Sequence, residues 1–418
     1  MSAVARALCA AVTLACIAAP SATCASSAAT RRVVTYRSAA ELAALERPGV
    51  RIVRRLPALR SAVVETSSAV GQQPVLRRAL TVDEPALEKT FLPGIAWEWQ
   101  WDAAHMAEVP DDALRSAAAV KIAVIDSGAD LGAPDVGDKH PGTWSVLSRS
   151  GGVRDVLGHG TFVASLAAGS VTNGVGMSGF GGDAKLLVIK AIGPEGYITD
   201  VDEAAAIVYA VRHGARIINL SIGGDGSSAI ERRALRWAAR HDVLVVAAAG
   251  NAHDQGNPVQ YPAALVGGKH GAGLAVGATS MDGTRAYFSN TGSYLSLAAP
   301  GYNVFAGESA SSDWPRAEVP WESPGYYGWA SGTSFSAPEV AGVSALVWGV
   351  NPRLTAPQVA WVLKHSATGS GWSPQLGWGM LDAAAAVQLA RVTPGKALRR
   401  VKRSRRHDAR SIHSSPPS

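Results

Sequence analysis

Lys121-Ile122-Ala123-Val124-Ile125-Asp126-Ser127-Gly128 is an apolar run that ends in a carboxylate and a turn. A strand with no polar alternation is buried on both faces, the condition of a parallel sheet layered between helices. The chain downstream repeats the theme. Leu186 to Ile192, Arg216 to Ser221, Val243 to Ala249 and Leu274 to Ala278 read as further strands. The stretches His159 to Gly169, Asp200 to His213 and Ala229 to His241 between them read as helices. Helices are also predicted over Ser334 to Val350, Ala356 to Ser366 and Leu381 to Arg391. The fold class is therefore α/β, a parallel sheet covered by helices on both faces. Gly301 to Ala330, rich in Gly, Ser, Pro and aromatic residues, reads as a long surface loop.

Upstream the pattern changes. Arg32 to Tyr36, Val50 to Leu56 and Ala62 to Thr66 read as strands, with a helix over Ala40 to Leu45 and a turn at Pro48-Gly49. This is a small α+β unit, too small to bury much apolar surface without a partner. Before it, Arg6 precedes the apolar stretch Ala7 to Ala19, followed by Pro20 and small residues. That is the layout of a secretory signal over residues 1–25, with cleavage after Ala25. Cys9, Cys16 and Cys24 all lie inside it, so the exported chain has neither disulfides nor a thiol nucleophile. The remaining divisions are residues 26–90 for the α+β unit, 91–392 for the main domain and 393–418 for a basic, apolar-poor tail.

The net charge of +6 divides unevenly along the 418 residues. Residues 26–90 carry eleven basic and six acidic side chains, and residues 394–418 carry eight basic against Asp408. Residues 91–393 hold 19 basic and 26 acidic groups. An acidic centre between basic flanks argues against a nucleic-acid partner, because the folded part has the wrong sign.

Three segments carry candidate chemistry. Asp126 sits at the carboxyl end of a buried strand, where open parallel sheets gather ligands. Gly158-His159-Gly160-Thr161 opens a helix, with glycines that leave the imidazole room. Gly332-Thr333-Ser334-Phe335-Ser336-Ala337-Pro338 sets a serine at the start of a long helix, where unpaired amides favour developing negative charge. Singly, each has a plainer reading: a turn-forming Asp, a surface His, a capping Ser.

Jointly and in this order they resemble the subtilisin family. Asn219-Leu220-Ser221-Ile222-Gly223, Ala247-Ala248-Ala249-Gly250-Asn251, Phe288 to Gly292, Ala298 to Gly301 and Gly377 to Ala383 are similar to further family segments. The resemblance covers about residues 95–391. It departs at Phe335 and Ser336, where the family often has Met and Ala.

The resemblance implies a secreted serine endopeptidase. Ser334 would be the nucleophile, His159 the general base, Asp126 its orienting partner and Asn251 an oxyanion donor, with Ser336 a disfavoured rival nucleophile. Ser221, Ile222 and Gly223 would pair with an extended polypeptide substrate, and Ala248, Ala249 and Gly250 would wall its pocket. Gly223 and Gly250 leave space, so a roomy apolar pocket is expected, with no carboxylate in its two segments.

The α+β unit resembles the family's prosegment, an intramolecular inhibitor and folding chaperone cut away between Leu80 and Trp99. No cofactor is required for the chemistry. The family often binds structural calcium, and Asp130, Asp135 and Asp138 are the nearby carboxylates. Their spacing fits no calcium loop, so no metal ligand is assigned. The basic tail reads as a solvated end or as a tether to anionic cell-surface polymer. The rival to catalysis is an inert peptide-binding module on the same fold.

Overall fold

The computed structural model describes residues 30–46, 48–66, 97–314, 316–317 and 325–395, and the backbone of 73–74 and 77–79. The signal, the cleavage region over 80–96 and the basic tail beyond 395 lie outside the described residues.

The α+β unit contains β1 (Thr30–Thr35), α1 (Ala39–Ala43), β2 (Val50–Leu56), β3 (Ser61–Thr66) and β4 (Gln73–Pro74), joined in an antiparallel sheet of order β2-β3-β1-β4. One more strand, β5 (Arg77–Ala79), leaves this sheet.

The main domain opens with the short helices α2 (Trp99–Ala103) and α3 (Asp111–Ser116) and then builds its sheet. In chain order come β6 (Lys121–Asp126), α4 (Pro134–Gly137), β7 (Gly142–Ser145), α5 (His159–Ala168), β8 (Lys185–Lys190), β9 (Tyr197–Thr199) and α6 (Asp200–Arg212). After them come β10 (Ile217–Leu220), α7 (Ala229–Arg240), β11 (Leu244–Ala248), α8 (Ala263–Val266), β12 (Leu274–Thr279) and β13 (Leu297–Pro300). The last elements are β14 (Val304–Glu308), β15 (Tyr326–Ala330), α9 (Thr333–Val350), α10 (Ala356–Ser366) and α11 (Ala383–Val392). Seven strands in the order β13-β12-β11-β10-β6-β8-β7 form one parallel sheet.

Each central strand divides its side chains between two cores, as the two-residue period requires. Ile122 and Val124 of β6 join the core that holds α5, α9, α10 and α11, whereas Ala123 and Ile125 join the core under α6, α7 and α8. Both faces are covered, which is why β6 reads as continuously apolar. Helix α9 is buried continuously from Thr333 to Trp348.

The expected strands and helices are present, with ends shifted by one or two residues. The stretch Gly301 to Ala330 is not one long loop. Its ends form an antiparallel hairpin, with Val304 opposite Ala330 and Glu308 opposite Tyr326. The buried rings of Phe305 and Tyr327 stack at 5.6 Å between centroids, so aromatic packing holds a pair that no tight turn announces.

The α+β unit does find a partner. Val33, Leu56, Leu59 and Val63 belong to the same buried cluster as Ile207 and Leu235 of α6 and α7. Arg54 pairs with Asp202 and donates to the Val146 carbonyl at 3.0 Å, while Arg233 donates to the Leu59 carbonyl at 3.1 Å. An open groove of about 680 Å3 runs along the junction, lined by β2 and by Trp144, Val146 and Tyr209. Finally, β5 runs antiparallel to β9, with Arg77 opposite Thr199 and Ala79 opposite Tyr197.

Candidate active site

Asp126 ends β6 and is fully buried. Its Oδ1 accepts from the Ser127 amide at 2.6 Å and lies 2.8 Å from His159 Nδ1. A carboxylate only accepts, so Nδ1 carries the hydrogen and Nε2 is left as the basic nitrogen. His159 is the first residue of α5, and its flanking glycines are required by space. A Cβ on Gly160 would fall 2.2 Å from the Gly128 carbonyl oxygen. One on Gly158, whose φ is +87°, would fall 2.7 Å from Ser312 Cβ.

Asp155, which the sequence reading did not single out, ties strand end to helix start. One oxygen accepts from Ser127 Oγ (2.9 Å) and the amides of Leu157 (3.1 Å) and Gly158 (3.0 Å). The other accepts from the Thr161 amide (2.8 Å) and hydroxyl (2.7 Å). Ser127 Oγ in turn accepts from the Gly160 amide at 2.9 Å. The open amides of Gly158, Gly160 and Thr161 at the start of α5 are thereby satisfied, and His159 is set on Asp126. A carboxylate four residues before a helix-opening histidine was the available signal.

Ser334 is the second residue of α9, and its Oγ donates to the Ser221 carbonyl at 3.5 Å, a long bond. The proline of the same motif explains the second link between these serines. Pro338 has no amide to give the Ser334 carbonyl four residues earlier. Ser221 Oγ donates to that carbonyl instead, at 2.6 Å, and itself accepts from Asn219 Nδ2 at 2.9 Å. Ser336 is turned away, donating to the Ala299 and Pro300 carbonyls.

Asn251 follows β11 across Gly250. Its Oδ1 accepts from the Thr333 amide (2.9 Å) and hydroxyl (2.8 Å), and Thr333 Oγ1 accepts from the Gly250 amide at 3.0 Å. Two donors on Oδ1 fix the amide's orientation, and Nδ2 is left buried without a hydrogen-bond partner. A donor held in place beside the start of a helix, where backbone amides are also open, suits a transient negative oxygen.

On the far side of His159 stands an aromatic wall. Phe335 lies 5.6 Å and Trp314 6.4 Å from the imidazole, centroid to centroid. Of the remaining expected site residues, Ile222 is buried, and Ala248 and Ala249 put their methyls into opposite cores. Those two alanines offer a ligand their backbone only. Lys190, also unforeseen, donates to the Ser127 and Arg154 carbonyls beneath the site.

The three aspartates considered for calcium do not converge. Asp130 accepts from the Gly132 and Ala310 amides, and Asp138 from Ser170 Oγ. Asp135 accepts from Asn173 Nδ2 at 3.0 Å and the Met177 amide at 3.3 Å, and burial pushes it up to about 6. Nearby Glu98 is pushed up to about 7 by burial. Hydrogens rather than oxygens face these carboxylates, so as arranged they do not fit a calcium ion. Among the described residues no group of three or more acidic, histidine or cysteine side chains converges to hold a metal.

Comparison with known proteins places the chain among the serine endopeptidases, on a parallel α/β scaffold. The subtilase family model (Peptidase_S8) matches residues 117–379. M-protease of Shouchella clausii is 32% identical over 310 residues, which cover 73% of each chain. Subtilisin Savinase of Lederbergia lenta is 34% identical over 269 residues, covering 64% of this chain and 91% of that one. Fervidolysin of Fervidobacterium pennivorans, described as a keratinolytic enzyme related to subtilisin, superposes with a TM-score of 0.70 at 23% identity. That likeness is one of fold and takes in 88% of this chain but only 61%, less than two thirds, of fervidolysin. The chain belongs to the subtilase family.

Proposed function

We propose that this chain is the precursor of an exported endopeptidase in which Asp126, His159, Ser334 and Asn251 carry the reaction. His159 Nε2 takes the Ser334 proton as Oγ attacks the scissile carbonyl carbon, and the carbonyl π electrons move onto oxygen. Asn251 Nδ2 and the Ser334 amide donate to that oxyanion. As the intermediate collapses, the C–N bond breaks, His159 gives its proton to the leaving amine, and an acyl-enzyme remains. Water then repeats the sequence and frees the acid. Asp126 orients the imidazole and stabilises its charged form. The observation that carries this reading is the unpaired Nδ2 of Asn251, because its Oδ1 is locked by Thr333 and the amide has no other task.

The substrate is an extended polypeptide laid along Ser221 to Gly223. Residues 26–90 act as an inhibitory prosegment. Supporting this are its basic charge against an acidic domain, its contact with α6 and α7, and the pairing of β5 with β9 just before the proposed cleavage region. Residues 1–25 direct export.

Fluorophosphonate labelling of the matured protein tests the catalytic reading. One label per molecule, absent from Ser334→Ala, is the expected result; an unlabelled wild type refutes it. Ser334→Ala should also accumulate as uncleaved precursor, and its normal maturation without added protease would exclude self-cleavage. Digestion of casein would separate a broad peptidase from a dedicated processing enzyme.

A further inference from the structure

The pocket expected between Gly223 and Gly250 is not open. A Cβ on Gly250 would fall 2.4 Å from Gln260 Cγ, and one on Gly223 would fall 2.9 Å from Gln260 Oε1. The side chain of Gln260 thus crosses from one glycine to the other, and it is only 2% exposed. The next residue, Tyr261, exchanges two backbone hydrogen bonds with Gly224, at 3.1 and 2.9 Å, so the backbone beneath Gln260 is fixed to the segment that carries Gly223.

The orientation of the amide follows from its surroundings. Nε2 donates to Asp225 Oδ1 at 2.8 Å, and the reverse assignment would set two oxygens against each other. Oε1 is consequently buried with no hydrogen-bond partner. A buried acceptor without a donor is costly, and one that lies beside Gly223, where the substrate pocket is expected, marks a place for a donor from the ligand.

The position of this acceptor decides which substrate group meets it. Gly250 adjoins Asn251, whose free Nδ2 receives the scissile carbonyl oxygen in the proposed reaction. The residue that owns this carbonyl therefore directs its side chain between Gly250 and Gly223, onto Gln260. We infer that Gln260 is the determinant of primary specificity. It makes the pocket short and ends it in an acceptor, so the residue before the scissile bond is one of modest length with an N–H or O–H donor, such as Asn, Ser or Thr, rather than Phe or Leu.

The inference rests on the peptidase reading, and the test keeps the two apart. Matured wild type, Gln260→Met and Gln260→Gly are titrated with fluorophosphonate, and kcat/KM is measured on peptides differing only before the scissile bond. Wild type should favour Asn over Phe by ~10-fold or more, the scale on which one donor or a misfit side chain is discriminated. Gln260→Met keeps the bulk but loses the acceptor, so it should lose the preference for Asn while still disfavouring Phe. Gln260→Gly opens the pocket and should raise kcat/KM for Phe by ~10-fold or more. An unchanged Asn-to-Phe ratio in correctly titrated Gln260→Met overturns the inference, whether or not Gln260→Gly folds. A wild type that takes up no label overturns the underlying reading and this inference with it.

Discussion

Thr333 sits between two groups that the proposed reaction needs. It receives the Gly250 amide, it holds Asn251 Oδ1 twice, and it precedes Ser334 on α9. Replacing its hydroxyl by a methyl removes one of two anchors on Asn251 and leaves the Gly250 amide without an acceptor. Thr333→Val is expected to lower kcat about 10-fold with KM little changed, since the oxyanion exists only beyond the ground state. Asn251→Ala should cost about 10² to 10³ in kcat, the scale recorded for the oxyanion asparagine of subtilisin itself. The two losses should not add in the double variant, because Thr333 acts through Asn251. Additive effects in steady-state kinetics would show that Thr333 acts elsewhere. Asp126, His159, Ser334 and Asn251 stand out in the sequence as candidates because each lies in a short, ordered motif. The sequence hid the roles of Thr333 and Gln260, whose partners are 82 and 35 residues away, and that of Asp155, whose tie to the strand end at Ser127 spans 28 residues.

At the scale of elements, the parallel strands and long helices were legible because burial imposes periodicity on them. The hairpin of β14 and β15 was not. Its strands are separated by a long connection, and aromatic contacts made only in the folded chain hold them together. The junction of β6 with α5 was half visible: its histidine and aspartate were plain, its tether was not. Asp155 holds that junction through five donors from Ser127, Leu157, Gly158 and Thr161. Asp155→Ala leaves these buried donors unmet and should cost about 2 kcal/mol or more of stability. Activity should fall with it, through a lower kcat, because the helix that carries His159 loses its anchor. Asp155→Asn retains one oxygen and should recover part of both losses. A thermal midpoint and kcat unchanged in the alanine variant would mean that the helix start is held by other means.

For the whole molecule, buried acids set the dependence of stability on pH. Burial pushes Asp135 up to about 6, Glu98 to about 7 and Glu308 to about 8, and raises Glu339 well above the usual carboxylate range. Arg316 opposes the shift of Glu308 only in part. Unfolding returns these groups to ordinary values near 4 to 4.5. Between about pH 4.5 and 8 the native state therefore holds more protons than the unfolded chain, and stability falls as pH rises. Each acid that is neutral when folded and ionised when unfolded contributes a slope of about 1.4 kcal/mol per pH unit. The exposed carboxyls held low, those of Glu65, Asp112 and Asp282, act below this window. Urea unfolding of Ser334→Ala, which cannot digest itself in the proposed mechanism, should give a higher midpoint at pH 5 than at pH 8. Adding Glu308→Gln, which mimics the neutral acid, should flatten that dependence by up to one proton and leave the pH 5 value nearly unchanged. A midpoint that rises from pH 5 to 8, or a slope indifferent to Glu308→Gln, would show that these acids are ionised inside the fold and paired there.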